Sequence, residues 1–155
     1  MILIKMQIYY VYASFYALSG GMMKRSEIRE NILKLLYLDD FHDTEELNTQ
    51  FSLYFDGKKG FSKEDQEYII NKANDILAHK DEIDKEIESV SNKWKVDRMD
   101  KVDKAILRLA YYEIKMDEEI PDRVAVNEAV ELSKKYSSDA SPKFINGILS
   151  NFVSE

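Results

Sequence analysis

Three side chains near the start of the chain are of the types that hold a nucleic acid. Arg25, Arg29 and Tyr37, with Leu33 between them, recur every four residues in KRSEIRENILKLLY, and Lys24 adds a further cation at the head of the run. A spacing of four places these side chains along one side of a helix. Guanidinium forks pair with phosphate oxygens and a phenol ring stacks on a base, so such a ridge suits RNA. A structural reading competes with this one. Arg25 and Arg29 can pair instead with Glu27 or Glu30, with Tyr37 half-buried, because charges at helix ends are most often a solvated face.

Residues that could support catalysis do not assemble into a recognisable pattern. The two histidines, His42 and His79, lie in separate polar segments without metal-ligand spacing, and with no cysteine there is neither a disulfide framework nor thiolate chemistry. No cofactor or metal is expected. No phosphate-cradling glycine loop follows a strand, and no nucleophile elbow is present. Carboxylates such as Asp39, Asp40 and Asp43, or Glu45 and Glu46, read as helix ends and exposed faces. The glycines of DGKKGFSKED resemble an RNA-clamping GXXG loop, yet no strand-period segment surrounds them. As a calcium loop, Asp56 to Glu67 fails because Lys58 occupies a ligand position. The segment reads as a helix connection, with Ser62 capping the next helix.

The elements that must carry the ridge are helices. With 2 prolines and 5 glycines in 155 residues, few breakers interrupt the chain. Ile28, Ile32, Leu35 and Leu36 give the first helix a buried stripe. A short helix capped by Thr44 comes second, with Leu47 and Phe51 inward. A long amphipathic stretch from Lys63 to Lys93 divides into two helices near His79 to Asp84. VDKAILRLAYYEI is apolar on most sides and is therefore central. The last two helices open near Pro121 and at Ser141-Pro142, with Ser141 as the expected N-cap. Gly147, inside the last helix, suggests close approach of another backbone. The formal net charge of −7 argues against indiscriminate polyanion binding, so any RNA site must be a local patch.

Residues 1–21, MILIKMQIYYVYASFYALSGG, have a different texture. The apolar run from Ile8 to Leu18 is about half the ~20 residues needed to span a bilayer, and the charged head expected of a signal peptide is thin. They read as an upstream extension or a mistaken start, with the domain occupying residues 22–155 and Met22 or Met23 as initiator. Peripheral membrane attachment through this segment is the competing reading, and stable insertion is not expected.

VDKAILRLAYYEI, IPDRVAVNEAVELSKKYS and SPKFINGILSNF resemble, in order and separation, three signature blocks of the bacterial NusB family of transcription antitermination factors. WKVDRMDKVDKAILRLA is similar to the family's approach to its central helix, and Met23 to Leu38 matches more loosely. Residues 1–21 have no counterpart.

The resemblance implies an all-α bundle of about seven helices in two subdomains, cytoplasmic and without enzymatic activity. It implies pairing with NusE, a small ribosomal subunit protein, joint binding of boxA RNA in ribosomal RNA leaders, and association with elongating RNA polymerase. It leaves room for a homodimer of the free form. Carried onto this chain, the RNA-binding positions are Lys24, Arg25, Arg29, Tyr37, Ser141, Lys143 and Phe144, and the NusE-facing ones Asp97 and Asp103. Ser26 and Glu27 stand where many members continue with basic residues, which implies weakened RNA binding by the isolated protein. A partner-only adaptor that has lost RNA affinity is the alternative.

Overall fold

The computed structural model describes residues 24–92 and 94–154, so the reading of residues 1–21 lies outside the described residues. Within them are seven α-helices: α1 Arg25–Leu38, α2 Thr44–Leu53, α3 Lys63–Ala78, α4 Lys80–Val90, α5 Lys101–Lys115, α6 Asp122–Tyr136 and α7 Ser141–Leu149, with a 3-10 turn at Val96–Arg98 before α5. None of them is long and apolar enough to cross a membrane.

Local chemistry sets most of the boundaries. Asp43 is the N-cap of α2, accepting from Glu46 N at 2.9 Å, so the cap falls one residue before the expected Thr44. Ser62 caps α3 as expected. Asp65 N donates to Ser62 Oγ at 3.0 Å and Ser62 N donates back to Asp65 Oδ2 at 3.1 Å, a reciprocal capping box. The break between α3 and α4 falls at His79. Asp100 caps α5, accepting from Val102 N at 2.9 Å and Asp103 N at 3.2 Å.

Two groups of helices meet on α5: α1, α3 and α4 form one, α6 and α7 the other. The amphipathic stripes read from the sequence meet in one core, with Ile32, Leu35 and Leu36 of α1, Ile69 and Ile76 of α3, Ile83 and Ile87 of α4, and Ile145 and Leu149 of α7 all buried. Every residue of α5 from Asp103 to Ile114 is buried, charged ones included. Those charges are paired. Lys104 meets Asp40, Arg108 donates to both carboxylate oxygens of Asp84 at 2.8 and 2.7 Å, and Glu113 receives Arg29. A buried charge is tolerable only with such a partner, so these pairs fix how α5 sits against α1 and α4.

The last helix departs from expectation at two positions. Ala140 is its N-cap and Ser141 its first residue, with the Ser141 side chain turned into the protein. Among the described residues Gly147 approaches no other backbone: a Cβ built there meets nothing within 4 Å. Because the site is helical and open, Gly147→Ala is expected to stabilise the protein by about 1 kcal/mol, which urea denaturation of the two proteins would measure.

Candidate nucleic-acid interface

The ridge expected along α1 is divided by burial. Arg29 is 5% exposed and does not face solvent. Its Nε donates to Glu113 Oε1 at 3.0 Å and its Nη2 to Oε2 at 2.6 Å, with Glu128 3.5 Å from Nη1. Arg29 is therefore a bridge from α1 to α5, corrected from its expected place in an RNA-binding row. The reason is that its track runs beside the core stripe, and the same spacing carries Leu33 inside. Arg25 is partly buried and lies 3.8 Å from Glu119 in the α5–α6 connection. Lys24 is exposed at the head of the helix.

Glu27, which looked out of place among cations, has a local task. Its Oε2 accepts from the Lys24 backbone N–H at 3.2 Å, satisfying one of the donors a helix N-terminus leaves unpaired. Tyr37, by contrast, is on the surface, 36% exposed. Its ring centroid is 5.0 Å from that of Phe41, itself 49% exposed, and Lys101 Nζ sits 4.2 Å from the Phe41 centroid. Arg25 and Tyr37 are separated by about 18 Å along α1, so they do not form one contact point.

A second exposed cluster forms at the head of α7. Phe144 is half-buried against Trp94, with ring centroids 6.4 Å apart in an edge-on arrangement, and Trp94 is 56% exposed. Lys143 is exposed beside them. The pair borders two shallow grooves: one of about 280 Å³ reaching Arg98, Asp100 and Ser138, the other of about 540 Å³ reaching Lys143, Asn92 and Asn151. Asp100 and Lys101 adjoin in sequence, one lining the Phe144 groove and the other covering Phe41. The two aromatic clusters thus flank the N-terminus of α5.

Ser141 and Asp103 are buried at the floor of the first of these grooves, a correction to their expected places as exposed contact residues. Ser141 is 2% exposed and donates to Asp103 Oδ2 at 2.9 Å, while Ser137 donates to Oδ1 at 2.6 Å. Asp103 is 6% exposed. Each of its oxygens accepts from one of these hydroxyls, which ties the head of α5 to the α6–α7 turn at the floor of the Phe144 groove. Asp97 remains exposed on the 3-10 turn. Phe41, Lys101 and Trp94 join the candidate surface and were missed by sequence reasoning. Phe41 and Trp94 stand as single aromatics in polar loops and Lys101 as one lysine at a helix start, without a period to group them.

The NusB family model matches residues 26–154. The chain belongs to the NusB family. It is 48% identical to the transcription antitermination protein NusB of Agathobacter rectalis over 131 residues, covering 84% of this chain and 100% of that one. Against the NusB of Clostridium novyi it is 43% identical, covering 84% and 98%. Among solved structures, NusB of T. maritima superposes with a TM-score of 0.74 at 30% identity, over 86% of this chain and 92% of that chain. A crystal structure of antitermination factors NusB and NusE in complex with dsRNA gives a TM-score of 0.69 at 27% identity, over 83% and 94%. The all-helical NusB architecture expected from the sequence is the one the chain adopts.

The Arg29–Glu113 bridge gives this NusB family member a sharp test. Arg29→Ala strands Glu113 in the core and is expected to cost about 3–5 kcal/mol, whereas Arg29→Met/Glu113→Leu removes both charges and should cost far less. Chemical denaturation of the two variants would show equal losses if the bridge were solvent-exposed.

Proposed function

We propose that this chain is a transcription antitermination factor that acts by binding: with NusE it holds boxA RNA of ribosomal RNA leaders and joins the elongating RNA polymerase in the cytoplasm. One observation carries the RNA part of this reading. Exposed aromatic rings with unburied lysines, Tyr37–Phe41–Lys101 and Trp94–Phe144–Lys143, flank the N-terminus of α5. Rings supply stacking faces for unpaired bases, and lysines neutralise the backbone passing between them. The kinship to antitermination proteins and the likeness to a NusB–NusE–dsRNA structure support the same reading.

The roles divide by exposure. Tyr37, Phe41, Trp94 and Phe144 stack, Lys101 and Lys143 contact phosphate, and Lys24 with Arg25 meets the strand at the far end of α1. Ser141 and Asp103 position Phe144 without touching RNA, and Arg29 holds α1 in place. Asp97, exposed on the turn before α5, faces the basic NusE partner, where its charge would speed encounter more than strengthen the complex. A contact surface this sparse on a chain of net charge −7 makes weak binding alone and tighter binding with NusE the expected behaviour.

The reading is tested by measuring boxA RNA affinity, with and without NusE, across a salt series. Lys101→Ala/Lys143→Ala is expected to reduce the slope of log K against log salt by about 1.4, the share of two phosphates on a single strand. Phe144→Ala should weaken binding by about 1–3 kcal/mol at every salt concentration, with the slope kept. Unchanged affinity and slope in both variants would remove this surface from RNA binding.

A further inference from the structure

Beside the RNA surface, α1 and α2 border a groove of about 410 Å³ from which the RNA reading uses only Tyr37, at its edge. Its walls are aliphatic Leu33, Leu38, Leu53 and Val102 together with the rings of Tyr54 and Tyr136. Leu53 is 52% exposed, an unusual position for a leucine on a short helix whose other apolar side chains, Leu47 and Phe51, are buried. A concave apolar face of this kind on an otherwise charged chain calls for a covering partner.

The charge around the groove says what that partner carries. Lys34 and Lys58 are exposed and make no ion pair among the described residues; their ammonium groups lie instead against aromatic faces, 5.9 Å from Tyr136 and 3.3 Å from Tyr54. Burial and then the charge of Lys34 push the Lys58 pKa down, so these two cations share one field. The carboxylate next to the groove, Glu30, is already met by Lys135 at 2.6 Å. Elsewhere around α1 and α5 the cations Lys80, Lys104 and Arg108 are matched with Asp39, Asp40 and Asp84. The groove rim is thus a place where positive charge is left for an incoming group.

We propose that this groove docks an amphipathic helix of a partner protein, with apolar side chains in the groove and acidic side chains against Lys34 and Lys58. Apolar residues at i, i+3 or i+4, and i+7 would enter between α1 and α2. Glutamates or aspartates flanking that stripe would meet the lysines, which contribute more to selecting an acidic partner than to affinity. The leucine and valine walls disfavour a nucleobase as occupant. Gln50 is the one amide in the lining, and most of a base's polar edge would be buried without a partner. Tyr37 borders both the groove and the RNA surface, so the docked helix would run alongside the RNA. The proposal is independent of the RNA assignment.

Three fluorescein-labelled synthetic helical peptides test it by anisotropy: leucines at i, i+3, i+4 and i+7 with glutamates between, the same leucines with lysines between, and the acidic composition with leucines scattered around the helix. The patterned acidic peptide is expected to bind at least tenfold more tightly than either control. Leu53→Glu and Lys34→Glu/Lys58→Glu, both at exposed positions, should each weaken it at least tenfold with circular dichroism and melting unchanged, and the lysine variant should then prefer the basic peptide. Equal binding of the three peptides, or binding indifferent to both variants, overturns the proposal. A boxA RNA arm distinguishes the two surfaces: if Lys34→Glu/Lys58→Glu weakens RNA instead of the acidic peptide, the groove belongs to RNA and the helix-docking assignment is wrong. Loss of RNA binding only through Lys101, Lys143 and Phe144 leaves the groove proposal standing on the peptides.

Discussion

Burying charge on the central helix is the constraint on which the remaining structure rests. Lys104, Arg108 and Glu113 lie within α5, each less than a tenth exposed, and each is answered from segments that precede α5, by Asp40, by Asp84 and Asp39, and by Arg29. Apolar packing alone would allow α1 and α4 to slide along α5, since one leucine fits a hydrophobic groove about as well as its neighbour. Unpaired charges inside would cost several kcal/mol each, which removes the slipped arrangements. The pairs therefore give register more than net stability.

That register is what assembles the surface. Fixing α1 against α5 brings Phe41, just beyond the end of α1, under Lys101 at the start of α5. The Asp103–Ser137–Ser141 cluster does the same on the other flank, tying α5 to the turn that carries Phe144. The head of α5 is accordingly held from both sides, by an exposed cation–ring contact and by a largely buried hydroxyl–carboxylate cluster. Around it, aromatic rings and lysines that are remote in sequence become neighbours.

The acidic net charge and an anion-facing surface are compatible for the same reason. Many of the carboxylates near α1 and α5 are already committed, to a cap in Glu27 and Asp100, to an ion pair in Asp39, Asp40, Asp84 and Glu113, or to hydroxyls in Asp103. Pairing cancels one cation for each carboxylate and leaves the net charge of −7 unchanged, but charges more than about 10 Å from these lysines are largely screened at about 0.1 M salt, so the local surface can differ in sign from the whole.

The sequence by itself determined the helices, their buried stripes and the family, because period, caps and signature blocks are local and survive without knowledge of contacts. Ile28, Ile32, Leu35 and Leu36 had to face inward whatever they met. The break at His79 and the cap at Ser62 were legible for the same reason. Only the tertiary structure decided which polar side chains belong to the site. Arg25, Arg29 and Tyr37 share one spacing, yet Arg29 is drawn inside by a glutamate 84 residues away while Tyr37 stays at the surface. Ser141 and Asp103 read as surface groups and proved to be each other's buried partners. Gly147 read as a point of close contact and proved to be open. Helical periodicity says which side of a helix a residue occupies; whether a charge there meets water or a counter-charge depends on what another segment brings to it.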